Sequence, residues 1–191
     1  MMLLLVRHGE TLANRGGLLL GRSDPALTER GEEQARQVAS TFSLPDRVIS
    51  SPLRRARDTA AAFGRPVEID ERWIELDYGE LDGRAPDSVP DEVWAQWRAD
   101  SSFAPPGGES LSTLSSRVAA ACAELWEEAA SSTVVVVTHV SPIKAALAWA
   151  MDVPIATSWR MYVEDASVSR IDLSSDGPVV RWFNRGITRV D

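Results

Sequence analysis

The chain contains two histidines, and each stands where an apolar run gives out. His8 follows residues 2–6 within VRHGET, with Arg7 directly before it, and His139 follows the β-branched run TVVVV at 133–137. A third group, Arg54, Arg55 and Arg57, opens the segment after RVIS at 47–50. An imidazole can offer a lone pair or move a proton near neutral pH, and a guanidinium is an always-ionised fork suited to an anion's oxygens. Taken singly, a histidine at a strand end reads as a hydrogen-bonded structural residue, and arginines on a first helical turn read as a solvated face. Together they put both imidazoles of the chain beside the cations that an anion requires.

The elements that must position these residues alternate strand and helix. Residues 2–6 read as a short core strand. Thr28 is a candidate N-cap, with Glu29 and Glu32 in an acidic first turn and Ala35, Val38, Ala39 and Phe42 on one face. Arg47 to Ser50 is a second strand, after which Ser51-Pro52 reads as N-cap and first-turn proline. Leu111, Leu114, Val118, Cys122 and Leu125 keep helical spacing. The run 133–137 reads as a strand buried on both faces, and Ser141-Pro142 repeats the cap device, with Ile143, Ala146, Leu147 and Ala150 inward. Residues 167–173 and 179–183 flank SSDGP and predict an antiparallel hairpin at the sheet edge. The expected fold is one α/β domain over 1–191, a three-layer α/β/α sandwich with a mainly parallel sheet and an antiparallel edge. A stretch at 84–110, with four prolines, Gly107-Gly108 and the Trp94/Trp97 pair, reads as a lid-like excursion; the tryptophans are expected to pack rather than touch a ligand. In an open parallel sheet, ligands bind beyond the carboxyl ends of the strands, where helix N-termini also present free N–H groups. His8, His139 and the arginine group all fall there.

Composition narrows the partner. The 191 residues carry 20 basic and 28 acidic side chains, a net charge of −8, which argues against nucleic acid and anionic membrane as partners. A phosphate would need a local basic pocket, so each arginine's placement matters. No run approaches the ~20 apolar residues of a membrane span. The lone Cys122 lies in the apolar stripe at 111–125 and is expected to be core. With no internal disulfide possible and no secretory signal ahead of the first strand, a reducing cytoplasm is the expected setting. Nothing in the sequence sets the oligomeric state.

The sequence resembles the histidine phosphatase superfamily, which includes cofactor-dependent phosphoglycerate mutases and many small phosphatases. The resemblance rests on VRHGET (6–11), Asn14, DPALTERG (24–31), SSPLRRARDTA (50–60), ELDYGELDG (75–83), PGGES (106–110) and VVVTHVSPIK (135–144), in the family's order. It implies that His8 accepts a phosphoryl group on Nε2, that Arg7, Arg55 and His139 hold the phosphate oxygens, and that Glu75 protonates the departing oxygen. Asn14, the backbone near Gly21 and the N–H of Val140 match further substrate contacts. The implied partner is a small-molecule phosphate ester, with no cofactor and no metal; two histidines beside arginines are in any case a poor cation site.

The residue types suit that chemistry. Phosphoryl transfer asks the protein mainly for alignment and for donors to the equatorial oxygens. A nucleophilic imidazole must carry its proton on the other nitrogen, facing an acceptor for which a nearby backbone carbonyl is the natural candidate. For the acid, Glu75, Asp77, Glu80 and Glu10 compete, and the resemblance favours Glu75. Departures from the family pattern are Leu20 ahead of Gly21, where a polar residue is common, and VSP after His139 in place of a glycine-rich turn. Arg98 lacks the neighbouring arginine pair of the mutases, and no long basic tail follows the last strand. Hydrolysis of a phosphate monoester is therefore expected over mutase activity, with a non-catalytic phosphate-binding scaffold as the other alternative. The closest match in character is the small phosphatases such as α-ribazole phosphatase.

Overall fold

A computed structural model describes residues 2–42, 45–127 and 132–186. Its centre is a six-stranded sheet of β1 (Met2–Arg7), β2 (Arg47–Ser50), β3 (Val67–Ile69), β4 (Thr133–Thr138), β5 (Val168–Ser174) and β6 (Gly177–Arg185), in the order β3-β2-β4-β1-β5-β6. The first four in that order run parallel; β5 is antiparallel to β1 and to β6. The helices are α1 (Leu12–Arg15), α2 (Glu29–Thr41), α3 (Arg54–Ala61), α4 (Asp91–Ala99), α5 (Leu111–Glu127) and α6 (Val140–Ala150).

The period-2 alternation of strand side chains sorts the apolar runs into two cores. Leu3 and Leu5 of β1 and Val134 and Val136 of β4 face α5 and α6, where Leu114, Val118, Cys122, Ile143 and Leu147 are buried. Leu4, Val6, Val135 and Val137 face the other way, against Val38 of α2 and Ala56 and Ala60 of α3. That is the expected three-layer sandwich. Cys122 is buried in the first core, and burial pushes its thiol well above the ordinary range. Among the described residues no helix is long and apolar enough to cross a membrane.

Two expectations are corrected. Ser51-Pro52 does not begin a helix: α3 is capped at Leu53 without a side-chain hydrogen bond. Ser141 does not cap α6 either, because the cap is His139 and Ser141 lies inside the first turn. In both places the serine serves the site described below. Thr28 does cap α2, its hydroxyl accepting from Gly31 N–H. Strand β3 is an addition that the sequence reading did not contain. The stretch at 84–110 is anchored rather than loose: it carries α4, and Val89 and Trp97 are buried in the α5/α6 core. The tail beyond Gly186 lies outside the described residues.

Candidate active site

The parallel register of β1 on β4 sets Arg7 against Thr138, so His8 and His139 leave the sheet side by side. Their rings lie 5.1 Å apart. The main chain of His8 is held on both sides, its N–H donating to Thr138 O (3.0 Å) and its carbonyl accepting from Ala166 N–H (3.1 Å). His8 Nδ1 lies 2.7 Å from the Gly9 carbonyl oxygen, which can only accept. The ring proton therefore sits on Nδ1, and Nε2 keeps its lone pair. Burial, then Arg55 and Arg7, hold the His8 imidazole well below its ordinary value, against a smaller upward pull from Gly9.

Of the three arginines at the start of α3, only Arg55 is buried; Arg54 and Arg57 face solvent. Arg55 Nε–H donates to His8 Nε2 at 3.2 Å. Its two terminal nitrogens donate to the carbonyls of Ser23 (2.6 Å) and Gly21 (2.7 Å). That loop is itself pinned by Asp82, whose carboxylate accepts from Gly21 N–H, Ser23 N–H and Ser23 Oγ at 2.8–2.9 Å. Gly21 thus enters the site through its carbonyl on Arg55, its N–H being taken by Asp82. Arg7 is fixed from behind by the Val163 carbonyl (2.8 Å) and an ion pair to Asp165 (2.8 Å). Its Nε is buried without a partner among the described residues, and so is Nδ1 of His139.

Glu75 is 3% exposed. It accepts from Leu76 N–H at 2.7 Å and from Ser141 N–H, in the first turn of α6, at 3.2 Å. Burial raises its carboxyl above the ordinary range, opposed by those hydrogen bonds and by Arg55 and Arg7. The competing carboxylates are engaged otherwise. Glu10 is held low by hydrogen bonds from Arg15 and Thr28. Asp77 caps Gly79 N–H and faces Arg22, and Glu80 is exposed. Of these four, Glu75 is the one that burial raises, as a proton donor requires. Its segment is braced by Arg117 of α5, which donates to the carbonyls of Arg72 and Glu75 and pairs with Glu109.

His139 is fully buried, its Nε2 2.7 Å from Ser51 Oγ, and burial followed by the Arg55 and His8 charges lowers it well below its ordinary value. Val140 is the first residue of α6, so its N–H has no intrahelical acceptor. Asn14 is placed differently from the rest: its Oδ1 accepts from Thr11 N–H and Oγ1 in the capping box of α1. Leu20 is buried and brings no polar group. Ser51, Asp82, Arg117 and Asp165 are site residues that the sequence reading did not single out. Ser51 and Asp82 stood inside quoted motifs, Ser51 read there as a helix cap; Arg117 and Asp165 are joined to the site only across long stretches of chain.

Two concavities adjoin this constellation. One, of about 150 Å³, is lined by Leu76, Tyr78, Val140 and Ser141 and extends toward Trp94 and Trp159. A more open groove of about 620 Å³ includes Arg30, Gln34, Tyr162 and Asp165, and neither histidine lines it. Its link to the site is Asp165, the partner of Arg7. Among the described residues no cluster of three or more His, Cys, Asp or Glu side chains is arranged to ligate a metal.

A family model described as the histidine phosphatase superfamily (branch 1) matches residues 3–186. A bifunctional protein of Mycobacterium tuberculosis is 34% identical over 92% of this chain, which spans about half (51%) of that relative's length. A Salmonella choleraesuis protein named "Probable phosphoglycerate mutase GpmB" is 36% identical over 95% of this chain and 87% of its own. Among solved structures, the α-ribazole phosphatase of Shigella flexneri superposes with a TM-score of 0.85 at 29% identity, over 96% of both chains. Phosphoserine phosphatase from Entamoeba histolytica, in complex with 3-phosphoglyceric acid, reaches 0.90 at 26% identity over 98% of both. The motif order, the paired strand-end imidazoles and these likenesses agree: the chain belongs to the histidine phosphatase superfamily, branch 1.

Proposed function

We propose that this chain is a phosphatase that hydrolyses a small phosphate monoester through a phosphohistidine at His8. The observation that carries the reading is the state of that ring: Nδ1–H given to Gly9, Nε2 unprotonated, and Arg55 Nε 3.2 Å away. In the first step the Nε2 lone pair forms a bond to phosphorus while the ester P–O bond breaks, and the departing oxygen takes the proton of Glu75. In the second, Glu75 as carboxylate takes a proton from water, the water oxygen bonds to phosphorus, and the P–N bond breaks to release phosphate. Arg55 and the partnerless Nε of Arg7 supply donors for charge on the equatorial oxygens, and His139 and Val140 N–H add two more positions. Two guanidiniums provide the positive charge that a metal would otherwise bring, so the scheme runs without one.

The relatives split between phosphatases and a named mutase. The mutase name supports phosphoglycerate isomerisation as the second reading. Against it, the one arginine of α4, Arg98, lies over the Trp94 and Trp159 rings at 5.8 Å. The test compares the purified protein with His8→Ala on p-nitrophenyl phosphate. Phosphate release, with an acid-labile, alkali-stable adduct on His8 that the variant lacks, is the expected result. Equal background rates in both would refute the phosphatase reading. Turnover of 3-phosphoglycerate to its 2-isomer, dependent on the bisphosphate, would replace it with the mutase.

A further inference from the structure

The 150 Å³ cavity shares Leu76 and Ser141 with the surroundings of Glu75: Leu76 follows it in sequence, and both residues give it their N–H groups. The alcohol side of an ester whose departing oxygen meets Glu75 therefore enters this cavity. Its walls are aromatic and interlocked. Trp94 stacks on Trp97 at 5.7 Å with the planes 13° apart, and Trp159 stands edge-on to both at 6.2 and 5.8 Å. Tyr78 meets Trp97 edge-on at 5.8 Å, and Arg98 lies over Trp94 and Trp159. Rings locked in this way form a slot of fixed shape, and a cavity of this size holds about one benzene-sized ring. A nucleoside does not fit, and a sugar would find few acceptors for its hydroxyls.

Beside the Tyr78, Ser141 and Ser158 hydroxyls, which can donate or accept, the slot holds groups that only donate. Lys144 of α6 is half-buried and has no ion pair among the described residues. Trp97, 1% exposed, leaves its indole Nε1–H without a partner. No aspartate or glutamate lines the cavity. A buried cation and a buried donor that go unanswered by the protein are disfavoured unless a ligand supplies the acceptor. Burial lowers Lys144 from its ordinary value, with Glu75 opposing that shift and Arg7 adding to it, so a ligand anion at this end of the slot would favour its charged form.

Resting on the phosphatase reading for its phosphate end, we propose that this cavity takes the organic part of the ester, a single flat apolar ring bearing a carboxylate. The ring lies against Trp94 and Trp159, and the carboxylate is held by Lys144.

The experiment uses phosphonates, whose C–P bond is not hydrolysed, so that binding is read apart from turnover. Ethyl-, benzyl-, 3- and 4-carboxybenzylphosphonate and the neutral carbamoylbenzyl analogues are titrated into the full chain, by calorimetry and by tryptophan fluorescence. Benzyl should bind about tenfold or more tighter than ethyl, and the better carboxybenzyl isomer about tenfold tighter again. The carbamoyl analogue should lose that second step in the unaltered protein, and Lys144→Met should bring carboxybenzyl down to benzyl. Equal affinities for ethyl and benzyl, a carboxybenzyl isomer no tighter than benzyl or than its carbamoyl analogue in the unaltered protein, or a carboxybenzyl advantage over benzyl that survives in Lys144→Met, would overturn the proposal. If p-nitrophenyl phosphate is not turned over while the phosphonates rank as stated, the hydrolytic reading fails and the specificity stands. Turnover without the ranking has the opposite meaning.

Discussion

Replacing Glu75 by glutamine leaves shape and volume nearly unchanged while removing the buried acid that contacts the first turn of α6. The amide oxygen can still accept from Leu76 N–H, so the fold should be little disturbed, with a Tm change within about 4 °C, the equivalent of roughly 1 kcal/mol in a domain of this size. Proton donation is lost. General acid catalysis contributes about 10²–10⁴ in rate, or ~2.7–5.4 kcal/mol at 1.36 kcal/mol per decade. That loss should depend on the leaving group. An alkyl phosphate, whose alkoxide is strongly basic, should lose the full factor in its first turnover. A p-nitrophenyl ester, whose phenolate departs readily, should lose less than about tenfold. Because the same carboxylate activates water, the second step slows for every ester, and phosphohistidine should accumulate after a burst of nitrophenol. Rapid-quench kinetics on both esters measure this. An equal first-turnover loss for the two, or a variant that never builds up phosphoenzyme, would remove Glu75 from the proton-transfer role.

Asp82→Ala deletes the acceptor that pins Gly21 and Ser23, whose carbonyls accept from Arg55. We expect a stability loss of about 1–3 kcal/mol in urea unfolding and a raised KM, with the His8 adduct still formed on chemical trapping. Gly31→Ala should be far more damaging, because a Cβ there would drive into the carbonyl oxygen of Glu10, just as one at Gly9 would meet that of Gly31; expression, near-UV circular dichroism and activity should fall together. Stability should also depend on pH in a signed way. His8 and His139 are both held neutral on folding, so their contribution is complete above about pH 6.5 and drains as pH falls below it, by up to ~1.4 kcal/mol per pH unit each. Glu75, raised, works in the reverse sense above its unfolded value of ~4.3, so between pH 5 and 6 it offsets part of the rise that the two histidines produce. Chemical denaturation across that interval should show stability rising with pH, and more steeply in Glu75→Gln.

The framework of the fold was legible because its signals are local. Leu3 to Val6 and Val134 to Val137 are uninterrupted apolar runs, and the stripe from Leu111 to Leu125 repeats at helical spacing. Strand β3 was not, because it is three residues long and two of them, Glu68 and Ile69, are exposed, so burial leaves no pattern in it. The two Ser-Pro pairs were misread for a physical reason. Ser51 Oγ accepts from Leu53 N–H in a turn ahead of α3 and lies 2.7 Å from His139 Nε2, and Ser141 lies within the first turn of α6, where its N–H donates to Glu75, so both serines stand beside the helix starts without being their caps. The candidate nucleophile and its arginines stood out by residue type and position. Their supports, Asp165 behind Arg7 and Arg117 behind Glu75, come from segments 158 and 42 residues distant with no motif around them, as the contact Arg117 to Glu75 and the ion pair Arg7 to Asp165 record. The Trp94 and Trp97 pair packs as expected, Trp97 in the core and Trp94 against it, and both rings also line the cavity.

The spacing of the two imidazoles is inherited from the hydrogen-bond ladder between β1 and β4. Side chains change face with every residue along a strand, so no partial slippage of that ladder could preserve the pair. Chemical competence and mechanical integrity are thus vested in one piece of backbone. A weakened β-branched residue deep in the ladder would surface in an assay as poor turnover long before it surfaced as an unfolded chain, and a screen for activity on this scaffold would double as a screen for sheet order.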